Sequence, residues 1–256
     1  MINPALFKKA AAVDTTAHRG WRIAPARTDW SVASELNAMF IASVEFGDAC
    51  VEYPIVFVNA GNDPQGKRQI APVAVFGLRE KENLYLDQGG TWRANYLPAL
   101  LQAYPFGIAR VDDTRVVVVI DEAWSGWSQT EGTALFNDDG QPSEHLSAVR
   151  TQLEKIEAEV QRTRLFGEAL VQADLLTEMR FDATLPDGKT LTVDGFLAVD
   201  EKKFAALSDA KVLELHKNGA LGLIHAHQIS MRHMRRLVEW RQQREAASAA
   251  SAASAA

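Results

Sequence analysis

The hydrophobic residues of this chain change their period partway along it. Before residue 121 they gather in short β-rich runs at 53–58, 70–78, 83–86 and 116–120, each of strand length. After residue 143 the spacing turns helical, with Leu146, Val149, Leu153, Ile156 and Val160 following in steps of 3, 4, 3 and 4, one face of an amphipathic helix. Segment 181–199 then returns to alternation around a Pro186-Asp187-Gly188 turn and reads as a hairpin. Strands and crossover helices therefore do not alternate one by one. That order predicts an α+β fold with a central, mainly antiparallel sheet and helices concentrated in the C-terminal half.

Finer signals fill in the elements. Met39 to Ala42 can form a short strand, and Ser43 can cap a brief helical turn through Val51. Pro54 must lie at a strand start or on an edge, and Gly61-Asn62-Asp63-Pro64-Gln65-Gly66 is a turn. The five-residue apolar run at 116–120 predicts a strand at the centre of a sheet, buried on both faces. Helices are expected at 92–104 with Pro98 in the first turn, from a Ser143 cap onward, at 204–216 ahead of Asn218-Gly219, and at 220–244. Residues 1–28 read as a loosely structured arm, 29–245 as one domain, and the Ala/Ser-rich 246–256 as a low-complexity tail or frayed helical extension.

Composition narrows the class. Apolar residues at 47% and charged residues at 23% suit a chain with a real core. The net charge of −6 repels phosphate backbones and anionic lipid, so no nucleic-acid partner is expected. Cys50 is the only cysteine, which excludes an internal disulfide and fits a reducing compartment. It reads as a buried or half-buried hydrophobe. Asp14 interrupts the short Ala10-Ala11-Ala12-Val13 stretch, and no segment nears the roughly 20 apolar residues that span a bilayer. Neither an ordinary export signal nor membrane insertion is expected, which points to the cytoplasm, with surface association only by a non-classical route.

Tests for chemistry return little. There is no phosphate-binding G-x-x-x-x-G-K-[ST], no G-x-G-x-x-G and no G-x-S-x-G elbow; Trp124-Ser125-Gly126-Trp127-Ser128 is read as an aromatic loop. Asn137-Asp138-Asp139-Gly140 lacks the alternating ligands of a calcium loop and reads as a turn. His225 and His227 would sit about 200° apart on a helix and could not share a metal. His227 falls on the apolar stripe, as a core histidine or as the wall of a pocket. Asp121-Glu122 and Asp200-Glu201 end strands, where carboxylates cap helices or solvate strand ends. No metal and no cofactor is assigned. The basic cluster Arg232, His233, Arg235, Arg236, Arg241 and Arg244 reads as a solvated helix face, with Arg232, Arg235 and Arg236 a candidate docking surface for an acidic partner.

A set of short motifs carries a resemblance. Glu52-Tyr53-Pro54-Ile55-Val56-Phe57-Val58, Pro72-Val73-Ala74-Val75-Phe76-Gly77-Leu78 and Glu82-Asn83-Leu84-Tyr85-Leu86-Asp87 are similar to the SapC family of bacterial proteins. So are Trp92, Tyr96-Leu97-Pro98, Tyr104-Pro105-Phe106, Ile120-Asp121-Glu122, Glu131-Gly132, Leu135-Phe136, Asp194-Gly195-Phe196 and Val199-Asp200-Glu201, and the likeness runs over about 39–240. The family is named from surface-layer loci, and its genes often neighbour outer-membrane receptor and flavin-dependent halogenase-like genes. It carries no established catalytic set. The resemblance implies a non-catalytic accessory or binding protein linked to a cell-envelope, surface-layer or outer-membrane uptake pathway. Two alternatives stand beside it. One is an enzyme acting on a small molecule or peptide, with a pocket near His227, Asp121, Tyr96 and Trp92; the other is a structural surface-layer component. Ligand, partner and oligomeric state stay open.

Overall fold

A computed structural model describes residues 2–24, 30–63, 65–111, 115–184 and 190–254. In chain order it contains β1 (Ala10–Ala12), β2 (Arg22–Ile23), a 3₁₀ turn (Ser31–Ala33), β3 (Ala38–Phe40), a 3₁₀ turn (Ser43–Glu45), α1 (Phe46–Ala49), β4 (Ile55–Asn62) and β5 (Arg68–Val75). There follow α2 (Ala99–Gln102), β6 (Phe106–Arg110), β7 (Val116–Asp121), β8 (Trp127–Ser128) and β9 (Thr133–Ala134). The C-terminal half holds α3 (Glu144–Gln172), β10 (Leu176–Thr184), β11 (Thr190–Val199), α4 (Glu201–Ala205), α5 (Asp209–Lys217), α6 (Ala220–Ser230) and α7 (His233–Ser254). The fold is α+β, and among the described residues the strand pairings are antiparallel.

The strands form three sheets, ordered β10-β11-β4-β5-β3, β1-β7-β6 and β8-β2-β9. Two hydrophobic clusters accompany them. The larger gathers Tyr53, Ile55, Phe57, Phe76, Tyr85, Leu197 and Leu237 around the five-stranded sheet. The smaller joins Phe106, Ile108 and Ile120 to Leu135 and Phe136. α3 serves both: Leu146, Leu153 and Ile156 of the helical seam enter the smaller cluster, while Phe166 and Leu170 enter the larger. Ser143 caps the helix by accepting the Leu146 N–H at 3.2 Å. At Gly167 the helix comes so near β5 that a Cβ would lie 2.5 Å from the Ile70 carbonyl oxygen.

Several elements depart from the sequence-based expectations. Residues 2–24 are packed: β1 pairs with β7, β2 pairs with β8 and β9, and Leu6 is buried. The expected strand at 83–86 is irregular, because Asn83 diverts the main chain. Its Oδ1 accepts the Tyr85 N–H at 2.9 Å and its amide donates to the Ala33 carbonyl at 2.9 Å. The expected helix at 92–104 shrinks to α2. Pro98 disfavours helical backbone at Leu97, and Arg93 donates its N–H to Tyr85, so this stretch runs beside 84–86. Helix 204–216 is two helices, separated at Ser208, which begins α5 with extended backbone. The helix expected from 220 to 244 breaks between α6 and α7. β7 is the central strand of its sheet, yet Val116, Val117 and Val118 are only half-buried. β6 was not expected. The Pro186-Asp187-Gly188 turn and Pro64 lie outside the described residues.

Candidate functional site

α6 is fastened to the five-stranded sheet by polar side chains. β4 and β11 meet at one register pair, Leu197 with Phe57. At the next position, where Val199 and Ile55 would face each other, an imidazole intervenes. His227 Nδ1 lies 2.7 Å from the Ile55 carbonyl oxygen, and its Nε2 accepts the Val199 N–H at 3.1 Å. An acceptor at Nε2 leaves the proton on Nδ1, so the neutral ring donates to Ile55. Burial lowers the His227 pKa to about 4 against the opposing hydrogen bond to Ile55. Ser230 completes the anchorage: its Oγ accepts the Ile55 N–H at 2.9 Å and donates to the His227 carbonyl at 2.6 Å. The ring is 1% exposed, and His225, two residues earlier, points outward beside Gln228 and Phe204.

Asp121 belongs to a different cluster. Its carboxylate accepts the N–H groups of Lys9 at 2.8 Å, Lys8 at 3.2 Å and Ala123 at 3.2 Å, and the Tyr104 hydroxyl at 2.8 Å. It thus holds the N-terminal segment to the end of β7. Burial, then the hydrogen bond to this carboxylate, raises the Tyr104 pKa. Tyr96 donates to Glu45 Oε1 at 2.7 Å, and the same carboxylate accepts the N–H groups of Ala99 at 2.8 Å and Ala42 at 2.7 Å. Trp92 Nε1 donates to the Tyr53 hydroxyl at 2.8 Å, which in turn donates to the Tyr96 carbonyl. Trp92 and Tyr96 are thus linked through Tyr53, whereas His227 and Asp121 each sit in a separate hydrogen-bonded set. Among the described residues no group of three or more His, Cys, Asp or Glu side chains could hold a metal ion.

The basic helix end divides in the structure. Arg232 and Arg235 are exposed. Arg236 turns inward, its guanidinium 4.9 Å from the Trp240 ring centre and 5.6 Å from that of Tyr85. It also donates to the Tyr85 hydroxyl at 3.0 Å and to the Glu52 carbonyl. Arg241 is 3% exposed and pairs with Glu82 at 3.0 Å and Glu245 at 2.7 Å. Glu82 is held in a tight turn: a Cβ on Gly77 would fall 2.0 Å from the Glu82 carbonyl oxygen, and Glu82 Oε2 accepts the Leu78 N–H at 2.9 Å.

A cleft of about 770 Å³ opens where this helix meets the 87–90 turn and the Ser31–Ala33 turn. Its walls include Ser34, Asp87, Arg93, Trp240, Gln243 and Arg244. Arg93 rests on Trp240, 5.1 Å from the ring centre. Arg244 lines the cleft and donates to the Asn83 carbonyl at 2.9 Å and the Leu86 carbonyl at 2.8 Å. Asp87 directs Oδ1 at the N–H groups of Gly89 (2.8 Å) and Thr91 (2.9 Å) of its own turn. These backbone bonds hold its carboxyl below the usual range. The docking face expected from the sequence includes Arg236 and its neighbours but not Arg93, Asp87 or Trp240. A usable signal was present: Arg236, Trp240 and Arg244 recur every fourth residue and so share one helix face.

Among the described residues no helix is long and apolar enough to cross a membrane. No curated protein and no solved structure matches this chain. One family model does, over residues 13–237, a span that takes in β2 and all the sheet strands after it as well as the start of α7. On that match the chain belongs to the SapC family.

Proposed function

We propose that this chain is a non-catalytic binding or accessory protein serving a bacterial cell-envelope, surface-layer or outer-membrane uptake pathway. One observation carries the non-catalytic part. The buried groups best suited to proton transfer are engaged with fixed partners: both ring nitrogens of His227 with β4 and β11, Asp121 with four donors, Glu45 with three. A general acid or base must instead reach the proton it transfers. The binding part rests on the arginine-lined cleft, whose volume is of ligand size. The pathway rests on the family alone.

The test has two arms. Purified chain is incubated with small-molecule and peptide extracts and followed by mass spectrometry, and a deletion strain is scored for surface-layer composition and outer-membrane uptake. No protein-dependent product and an envelope or uptake defect are expected. A time-dependent product that vanishes in a folded His227→Gln variant overturns the non-catalytic reading. A deletion without any envelope or uptake phenotype overturns the pathway.

A further inference from the structure

The charge balance of the cleft beside α7 is uneven in a way that specifies a ligand. Among the described residues, neither Arg93 nor Arg244 has a carboxylate within ion-pair distance: Arg93 lies on an indole and Arg244 on two carbonyls. The next layer sums to zero charge: Arg241 pairs with both Glu82 and Glu245, while Arg236 lies on Trp240 and Tyr85. Asp87 is the acid in the cleft wall, and its Oδ1 is taken up by its own turn. Two guanidiniums against one carboxylate leave one positive charge facing the cleft in a chain of net charge −6. Burial chiefly lowers the pKa of Arg244, against the pull of Glu82, with the nearby Arg93 charge adding to the lowering.

Guanidinium forks match planar oxyanions and bind them bidentately. Hydrogen-bonding groups stand beside them in Ser34 and Gln243, and Leu86 and Ala247 supply an apolar wall. Trp240 is already covered by Arg93 and Arg236, so its faces are not platforms for an aromatic ligand. Resting on the binding role above, we propose that this cleft binds a small aliphatic monocarboxylate, its carboxylate between Arg93 and Arg244 and its hydrocarbon part against Leu86 and Ala247. A single residual charge favours a monoanion over a phosphate dianion. Phosphate shares the oxyanion chemistry and is therefore the discriminating probe.

The experiment titrates full-length protein with sodium hexanoate, inorganic phosphate or hexanol at constant ionic strength and pH 7.5, following the arginine Nε–H signals by NMR. The Arg93→Gln and Arg244→Gln variants assign those two signals. Saturable shifts of both signals with hexanoate, none with hexanol, and an affinity at least about tenfold weaker in Arg93→Gln are expected, because one charge-assisted pair is lost. Arg93 is exposed, so its variant keeps the fold and decides the matter even if Arg244→Gln does not. No saturable shift, tighter binding of phosphate than of hexanoate, or unchanged hexanoate affinity in Arg93→Gln would each overturn the assignment. None of these outcomes depends on the envelope phenotype, so the two readings fail separately.

Discussion

Ile55 and Val199 are joined through a side chain at the point where their strands stop pairing directly. The carbonyl of one and the N–H of the other are linked by the imidazole of His227, which replaces a rung of the β4–β11 ladder. This role requires the neutral ring.

A pH dependence follows from that requirement. The folded-state pKa, about 4, lies below the ordinary value of 6.5. Between those values the unfolded chain binds the extra proton, so the stabilisation is full above pH 6.5 and is lost as pH falls towards 4. The loss is about 3 kcal/mol. His233, whose pKa is also lowered chiefly by burial, acts in the same direction. Urea unfolding at pH 7.5, 6.0, 5.0 and 4.0 measures the slope, and His227→Leu should flatten it.

Ser230 supplies an independent check on the anchorage. Ser230→Ala leaves the buried Ile55 N–H without its acceptor and should cost about 1–3 kcal/mol. His227→Leu strands a carbonyl and an N–H and should cost about 2–5 kcal/mol. Both residues serve Ile55, so the double variant should be non-additive by more than about 0.5 kcal/mol. Equilibrium unfolding at pH 7.5 gives all three values; strict additivity would contradict the shared anchorage.

Arg241 is the buried member of an ion triad with Glu82 and Glu245. Arg241→Met should destabilise by about 3–5 kcal/mol, because Glu82 loses its partner in a mostly buried position. Glu245→Gln, at the exposed end, should change stability by less than about 1 kcal/mol. Thermal melting of the two variants distinguishes a buried pair from a surface one.

Cys50 is buried, and burial raises its thiol pKa. The thiol also donates to the Gly47 carbonyl at 3.4 Å. A thiol-specific chromogenic reagent at pH 8 should therefore label it slowly in the native protein and quickly in urea. Equal rates in the two conditions would place the sulfur at the surface.

Where periodicity was long, the sequence predicted the fold well. The seam from Leu146 to Val160 lies in α3, Ser143 caps it, and Phe181–Thr184 and Thr190–Val199 lie in the antiparallel strands β10 and β11. Failures came where side chains compete for backbone groups. Asn83 breaks a strand-like run, and the tie of Arg93 to Tyr85 turns a helix-like stretch into an extended one. These contacts join residues far apart in sequence or redirect the chain locally, and no hydrophobic period encodes them. At the candidate site, Arg236 was legible as part of a charge cluster. Its orientation towards Tyr85 was not, since Tyr85 and Arg93 arrive from elsewhere in the chain.

α3 gives the molecule a common backbone. Its N-terminal turns are built into one hydrophobic cluster and its C-terminal turns into the other, with Gly167 letting the rod lie directly on β5. Melting either cluster strips one end of the same rod of its support. The two should therefore come apart in a single step, and damage to the smaller sheet should be felt as softening of the larger one.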